Sequence, residues 1–118
     1  MPLESNAIAH LSAALAKITA WQAPIRLNAT TRAYFERLAS LSAPESAARY
    51  RAVLNPGSKD AAEALSFFLK AEPSHASMLH TSVSPTVVSG GYRVNVIPSE
   101  ATATLDVRML PDEDPDAF

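Results

Sequence analysis

The chain has 118 residues, no cysteine and a formal net charge of −2 at pH 7, and 47% of its residues are hydrophobic. This length holds at most one domain, and the composition is that of a globular protein. The near-neutral charge excludes a basic surface for nucleic acid or anionic membranes. No apolar run approaches the roughly 20 residues that span a bilayer. The absence of cysteine excludes disulfides and thiolate metal sites.

Residues 6–21 predict an amphipathic helix, which Ser5 or Asn6 can cap. The apolar residues that recur at helical spacing are Ile8, Leu11, Leu15 and Ile18. Because this helix face is almost purely aliphatic, we expect it to pack on a sheet.

Residues 28–72 predict three short helices. The first begins at Asn28 or Thr30, and the second begins at residues 42–45, which form a capping-box pattern with a proline in the first turn. Ser58 caps the third helix. Helices this short need tertiary packing for stability.

Two strands are predicted after Pro73, which ends the third helix. The first covers residues 79–89 and the second covers residues 101–109, and in both of them apolar and polar residues alternate. The apolar face of the first strand is Leu79, Val83 and Val87. Pro85 lies inside this strand and cannot donate to a ladder, so the strand is expected at a sheet edge or with a bulge.

The connection between the strands carries the candidate binding residues. Gly90 and Gly91 form a turn, an irregular stretch around Asn95 follows, and the second strand places Asp106 and Arg108 on one polar face. A guanidinium offers a bidentate fork to a carboxylate, and an amide can donate to a carbonyl or developing oxyanion. The pattern predicts that this segment binds a carboxylate or a peptide carbonyl. The segment supplies no nucleophile and no obvious general base.

Simpler interpretations stand beside this one. Arg108 could pair with Asp106 or Asp112 on an exposed strand, and Asn95 could be a turn residue in a left-handed conformation. Three histidines and two aromatic pairs are assigned no function, because the histidines lack the spacing of a zinc site and aromatic pairs usually belong to the core. They are His10, His75, His80, Tyr34/Phe35 and Phe67/Phe68.

The predicted order is helix, helical insert, edge strand, long connection, strand and a helix start at residues 112–115. An antiparallel strand pair packed on one helix is part of an α+β sandwich. We therefore expect residues 1–118 to be a single partial domain with a helical insert at residues 22–76. A strand before residue 1 and a helix and strand after residue 118 would complete a ferredoxin-like βαββαβ plan.

The run SVSPTVVSGGYRVNVIPSEATATLDVRMLPDEDPDAF, and within it NVIPSEA followed by LDVR, resembles a known lid domain. That domain is the lid, or dimerisation domain, of the zinc aminoacylase/carboxypeptidase family, which is metallopeptidase family twenty. The resemblance covers essentially the whole chain and is strongest at residues 81–115. The first helix and the helical insert resemble the carboxypeptidase S-like, or Gly-Xaa carboxypeptidase, branch.

The resemblance implies a parent enzyme that hydrolyses the amide bond of peptides or N-acyl amino acids. Two zinc ions would be bound outside this chain, which would itself bind no metal and be inactive alone. Asn95 matches the asparagine that binds substrate near the scissile carbonyl, and Arg108 matches the arginine that anchors the substrate's terminal carboxylate. The family's lid histidine would fall just upstream of Met1 and Pro2.

Two other hypotheses remain. The chain could be a non-catalytic dimerisation or interaction module, with a homodimer formed through the edge strand that contains Pro85, or the inserted helices could cover that edge. It could also be an unrelated small α+β domain.

Overall fold

The computed structural model describes residues 5–118, so the prediction made at Met1 and Pro2 lies outside the described residues. The described elements are α1 (Ala7–Ala20), α2 (Ala29–Leu41), α3 (Pro44–Ala52), α4 (Lys59–Ala71), α5 (Pro73–Ser77), β1 (Ser82–Gly90) and β2 (Ala101–Arg108). The α+β fold class is therefore confirmed, with helices and a two-stranded antiparallel sheet. Within this described part of the chain, each helix is too short or too polar to cross a membrane.

The chain divides into two compact units. The sheet unit contains residues 5–22 and 82–108, which include α1, β1 and β2. The helical unit contains residues 23–81 and 109–118, which include α2 to α5.

In the sheet unit, α1 forms where the sequence predicts it. The Asn6 side chain accepts from the backbone amides of Ile8 and Ala9 at 3.0 and 3.2 Å, which satisfies two of the free donors at the helix start. The helix packs on both strands, with half-buried aliphatic residues on that side. These residues are Leu11, Leu15 and Ile18.

The two strands pair antiparallel with a bulge between Pro85 and Val87. The expected irregularity at Pro85 is present, and the predicted apolar face of β1 is right at Val83 but wrong at Val87. Val83 is opposite Val107, whereas Val87 is opposite Thr104 on the polar face. The extra residue shifts the alternation by one, so Val88 occupies the apolar face that was expected for Val87.

β1 begins at Ser82, three residues later than predicted. Leu79 is fully buried in the helical unit, where its carbonyl accepts from the Arg26 amide at 2.8 Å. Thr81 is also buried there: its hydroxyl donates to the Glu113 carboxylate and accepts from the Leu110 amide. These contacts hold residues 79–81 outside the strand.

The three predicted helices of the helical unit are present. Asn28, and not Thr30, begins α2 through a reciprocal capping box with Thr31. Ser58 caps α4 by accepting from the Ala61 amide at 3.1 Å. The sequence analysis did not predict α5, because it used Pro73 only as the end of α4. A proline also fits the first turn of a helix, and Pro73 begins α5.

The capping box predicted at residues 42–45 is absent. Ala43 is the N-cap of α3 and makes no side-chain capping bond. The Ser42 hydroxyl instead donates to the Leu38 carbonyl at 2.6 Å, so Ser42 ends α2 and does not begin α3.

Residues 112–115, the predicted helix start, lie in turns. The Asp114 carboxylate accepts from the Asp116 amide at 3.0 Å, and the Asp114 carbonyl accepts from the Phe118 amide at 3.0 Å. These bonds resemble a helix N-cap and its first turn, but no helix is assigned among the described residues after β2.

Every fully buried residue of the described chain lies in the helical unit. The main cluster is Phe35, Ala39, Ala47, Tyr50, Val53, Ala64, Leu65, Phe68, Ala76 and Leu79. In the sheet unit, by contrast, Leu105 and Val107 on the apolar face of β2 remain 37% and 41% exposed. The sheet unit is therefore an incompletely covered layer.

Candidate functional site

Gly91 turns the chain out of β1 and into the long connection. Its φ of 79° makes it the one residue between Ser5 and Phe118 with positive φ, a conformation that glycine adopts without a Cβ clash. The connection returns to α1 through a bond from the Ala7 amide to the Pro98 carbonyl at 3.2 Å. The end of β1 holds one end of the segment that presents Asn95, and this bond holds the other.

Asn95 lies in a tight turn that the Val96 amide closes by donating to the Arg93 carbonyl at 3.3 Å. Asn95 is thus a turn residue, as the simpler interpretation held, but its φ is not left-handed. The residue is exposed, and its amide side chain makes no hydrogen bond with the described residues. It lines an open cavity of about 740 Å³, to which Ile8 and Gly90 also contribute.

Arg108 is the last residue of β2 and points to the polar face, beside Asp106. Its Nε donates to Asp106 Oδ2 at 2.9 Å, and 82% of its side-chain surface is exposed. The predicted pairing with Asp106 is present. An exposed pair of this kind contributes at most about 1 kcal/mol to stability.

Asn95 and Arg108 lie toward opposite ends of the hairpin. The Asn95 connection follows the end where Gly90 pairs with Ala101, and Arg108 pairs with Ser82 at the other end. Seven strand residues at about 3.3 Å each separate the two ends by about 23 Å. One copy of this chain therefore does not bring the predicted amide and guanidinium together around one small ligand.

Within residues 5–118, no three histidine, cysteine or carboxylate side chains come together as a group that could hold a metal ion. The described residues therefore offer no fit for a zinc pair. Asp106 is engaged by Arg108, and His75 and Glu72 are engaged with each other.

Sequence reasoning missed a hydrogen-bonded chain in the helical unit, which joins Glu72, His75 and Tyr34. The three-residue spacing from Glu72 to His75 was a local signal, because α5 brings such neighbours together. Tyr34 is 41 residues away from His75, and no local pattern links them.

These features define an α+β chain whose hairpin ends in an exposed guanidinium, that of Arg108. The family model of the peptidase dimerisation domain, from the M20 peptidases, matches residues 2–118. The chain therefore belongs to the M20 peptidase dimerisation domain family. No curated protein and no solved structure matches the chain. The resemblance to metallopeptidase family twenty is confirmed at this level, and the carboxypeptidase S-like branch stays a prediction.

Proposed function

We propose that this chain is the substrate-gripping lid of a zinc-dependent M20 peptidase or amidohydrolase. In this proposal Arg108 binds the terminal carboxylate of a peptide or N-acyl amino acid. The observation that supports it best is the exposure of the Arg108 guanidinium and the position of its ion pair. Among contacts with residues 5–118, only Nε is engaged, by Asp106, and the side chain is largely exposed. The four N–H groups on the two Nη atoms remain available for a bidentate grip.

Asp106 supports this role without competing for it. A carboxylate on Nε restricts the rotation of the guanidinium plane while leaving the outer fork open. The residues paired opposite Asp106 and Arg108 are Ser84 and Ser82, which bring no charge to this polar face. The substrate carboxylate would therefore be the second acidic partner of Arg108.

Asn95 is proposed to donate its amide to the carbonyl oxygen of the scissile bond. Its exposure at a turn that is fixed at both ends suits a group that a closing lid carries toward a substrate. Preorganised donors of this kind stabilise the charge that develops on a carbonyl oxygen.

The two zinc ions that the family resemblance implies would be bound by residues outside this chain. When bound, such a pair activates water for attack on the amide carbonyl. The residues of this chain are assigned only to binding and orientation of the substrate, and to exclusion of water when the lid closes.

The separation of Asn95 from Arg108 favours a homodimer. Because about 23 Å lies between the two ends of the hairpin, a single amino-acid amide cannot contact both residues of one copy. Two copies could contribute one residue each to a shared site. The half-exposed apolar face of the sheet unit, with Leu105 and Val107, also leaves apolar surface for an assembly to cover.

Mixed dimers test this arrangement in the full-length protein. We expect Asn95→Ala and Arg108→Ala each to reduce hydrolysis of an N-acyl amino acid. When the two variants are mixed and allowed to exchange subunits, about a quarter of the wild-type activity should return. Half of the dimers are then mixed, and each mixed dimer holds one intact site and one doubly altered site.

The control is a mixture of two preparations of the same variant, which should stay inactive. Absence of recovery in exchanged mixed dimers contradicts a shared site. Wild-type activity in both single variants would instead favour the alternative, a dimerisation module without a part in substrate binding.

A further inference from the structure

The helical unit contains a carboxylate, an imidazole and a phenol in one continuous hydrogen-bonded chain. Glu72 Oε2 lies 2.5 Å from His75 Nδ1, and His75 Nε2 lies 2.9 Å from the Tyr34 hydroxyl. Glu72 follows the last residue of α4, His75 lies in α5, and Tyr34 lies in α2. With the Nδ1 proton donated to Glu72, the lone pair on Nε2 faces the Tyr34 hydroxyl proton.

A second tyrosine fixes the carboxylate. The Tyr50 hydroxyl donates to Glu72 Oε2 at 3.1 Å. Burial, and then this hydrogen bond to Glu72, raise the pKa of Tyr50, so Tyr50 remains a donor at neutral pH. Glu72 is therefore held in the orientation in which it accepts from His75.

The aromatic core fixes the imidazole. The rings of Tyr50, Phe35 and Phe68 have their centroids 5.3, 5.6 and 5.8 Å from that of His75. Only 19% of the His75 side chain is exposed. By contrast, Tyr34 is 40% exposed, so solvent reaches the tyrosine at the end of the chain.

Tyr34 also borders an apolar groove on α2 with a volume of about 610 Å³. The other residues that line it are Ala29, Thr30, Ala33, Arg37, Leu38 and Leu41. This lining suits a small apolar group beside the phenol ring.

We propose that Tyr34 is an activated nucleophile that accepts an acyl group from small activated esters. A nucleophile in hydrogen-bond contact with a base, and a base oriented by a third group, is the arrangement used in acyl transfer. The Tyr34 oxygen attacks the ester carbonyl carbon and its proton passes to His75 Nε2. The ester C–O bond then breaks, and the leaving alcohol takes that proton from His75. The products are an O-acyl tyrosine and the alcohol.

The experiment compares two tyrosines in the same molecule. The full-length protein is treated with p-nitrophenyl acetate, and the acetylation rates of Tyr34 and Tyr92 are measured by peptide mass mapping. Tyr92 is 78% exposed and lies outside this hydrogen-bonded chain, so exposure alone favours Tyr92. We expect Tyr34 to react at least about tenfold faster, because a positioned general base contributes about 10²–10⁴-fold.

Two variants separate activation from structure. Glu72→Gln and His75→Gln should lower the Tyr34 rate toward that of Tyr92 and leave the Tyr92 rate unchanged. The proposal is overturned if wild-type Tyr34 reacts no faster than Tyr92, a comparison that needs no variant. It is also overturned if Tyr34 keeps its rate in folded Glu72→Gln protein, since the hydrogen bonds would then serve only to hold α2, α4 and α5 together.

Discussion

Phe35 is the residue on which the packing of the helical unit converges. It is fully buried, and its ring is 5.2 Å from Tyr34, 6.1 Å from Tyr50 and 6.4 Å from Phe68 between centroids. We expect Phe35→Ala to lower the free energy of unfolding in urea by about 3–5 kcal/mol, through lost burial and the cavity left behind.

The matched control for that substitution is Leu41→Ala on the same helix, α2. Leu41 is 85% exposed, so its truncation should change the free energy of unfolding by no more than about 0.5 kcal/mol. Similar losses from Phe35→Ala and Leu41→Ala would show that α2 is not packed in the way described.

Ionisation of Tyr50 makes the free energy of unfolding of the helical unit depend on pH in the alkaline range. Burial and the bond to Glu72 raise its pKa above the usual 10.0, so the folded state keeps the phenol proton after the unfolded state loses it. The stabilisation is complete below pH 10.0 and is lost as pH rises toward the folded pKa. Urea unfolding at pH 9 and above pH 10 should show this decline.

Tyr50→Phe removes the titrating group and should flatten that part of the pH profile. Tyr92→Phe is the control, because Tyr92 is largely exposed and its removal should leave the decline in place. A decline that persists unchanged in Tyr50→Phe would assign the pH dependence to another group.

At the residue scale, sequence reasoning predicted local relations and missed distant ones. Arg108 and Asp106, which pair with each other, are two residues apart in the sequence and lie on one face of a strand. The contact between Tyr34 and His75 spans 41 residues and joins α2 to α5. No periodicity in the chain encodes such a contact.

At the scale of elements, strong periodic patterns predicted α1, α2, α3, α4 and both strands. The details that were predicted wrongly depend on competing contacts. Ser42 bonds to the end of α2 and not to α3, and residues 79–81 are held by the helical core. The bulge after Pro85 then shifts the side-chain alternation by one residue. Capping choices and bulges depend on these neighbours, which the linear pattern does not show.

The turn at Gly91 provides a test of the hairpin connection. Its φ of 79° is strained for any residue with a Cβ, so Gly91→Ala should lower the free energy of unfolding of the sheet unit by about 1–2 kcal/mol. Hydrogen exchange of the β1 and β2 amides reports this change.

Gly57→Ala is the matched substitution in the helical unit. No atom lies within 4 Å of the Cβ it would introduce, and its φ is not in the left-handed range. It should be neutral, or stabilise the helical unit by up to about 1 kcal/mol by reducing the entropy of the unfolded chain. Equal destabilisation by both changes would argue against the turn at Gly91.

At the scale of the whole molecule, the two units differ in how completely their apolar residues are buried. The helical unit has a complete aromatic and aliphatic core, whereas the sheet unit has no fully buried residue among those described. Its half-exposed apolar face agrees with the family assignment to a peptidase dimerisation domain. The composition predicted a globular protein and the order of elements predicted the α+β class, but the distribution of the core between two units required the structure.

The proposed role of Arg108 is to bind a substrate carboxylate. Its most direct test is kcat/KM of the full-length protein for an N-acyl amino acid and for the matching carboxamide, which lacks that charge. Arg108→Ala should reduce kcat/KM for the carboxylate substrate by about 10- to 100-fold, since a hydrogen bond to a charged group contributes about 1.5–3 kcal/mol. The carboxamide value should change little, and the exposed Arg51→Ala control should change neither. Unchanged values, or equal losses for both substrates, would contradict this role of Arg108.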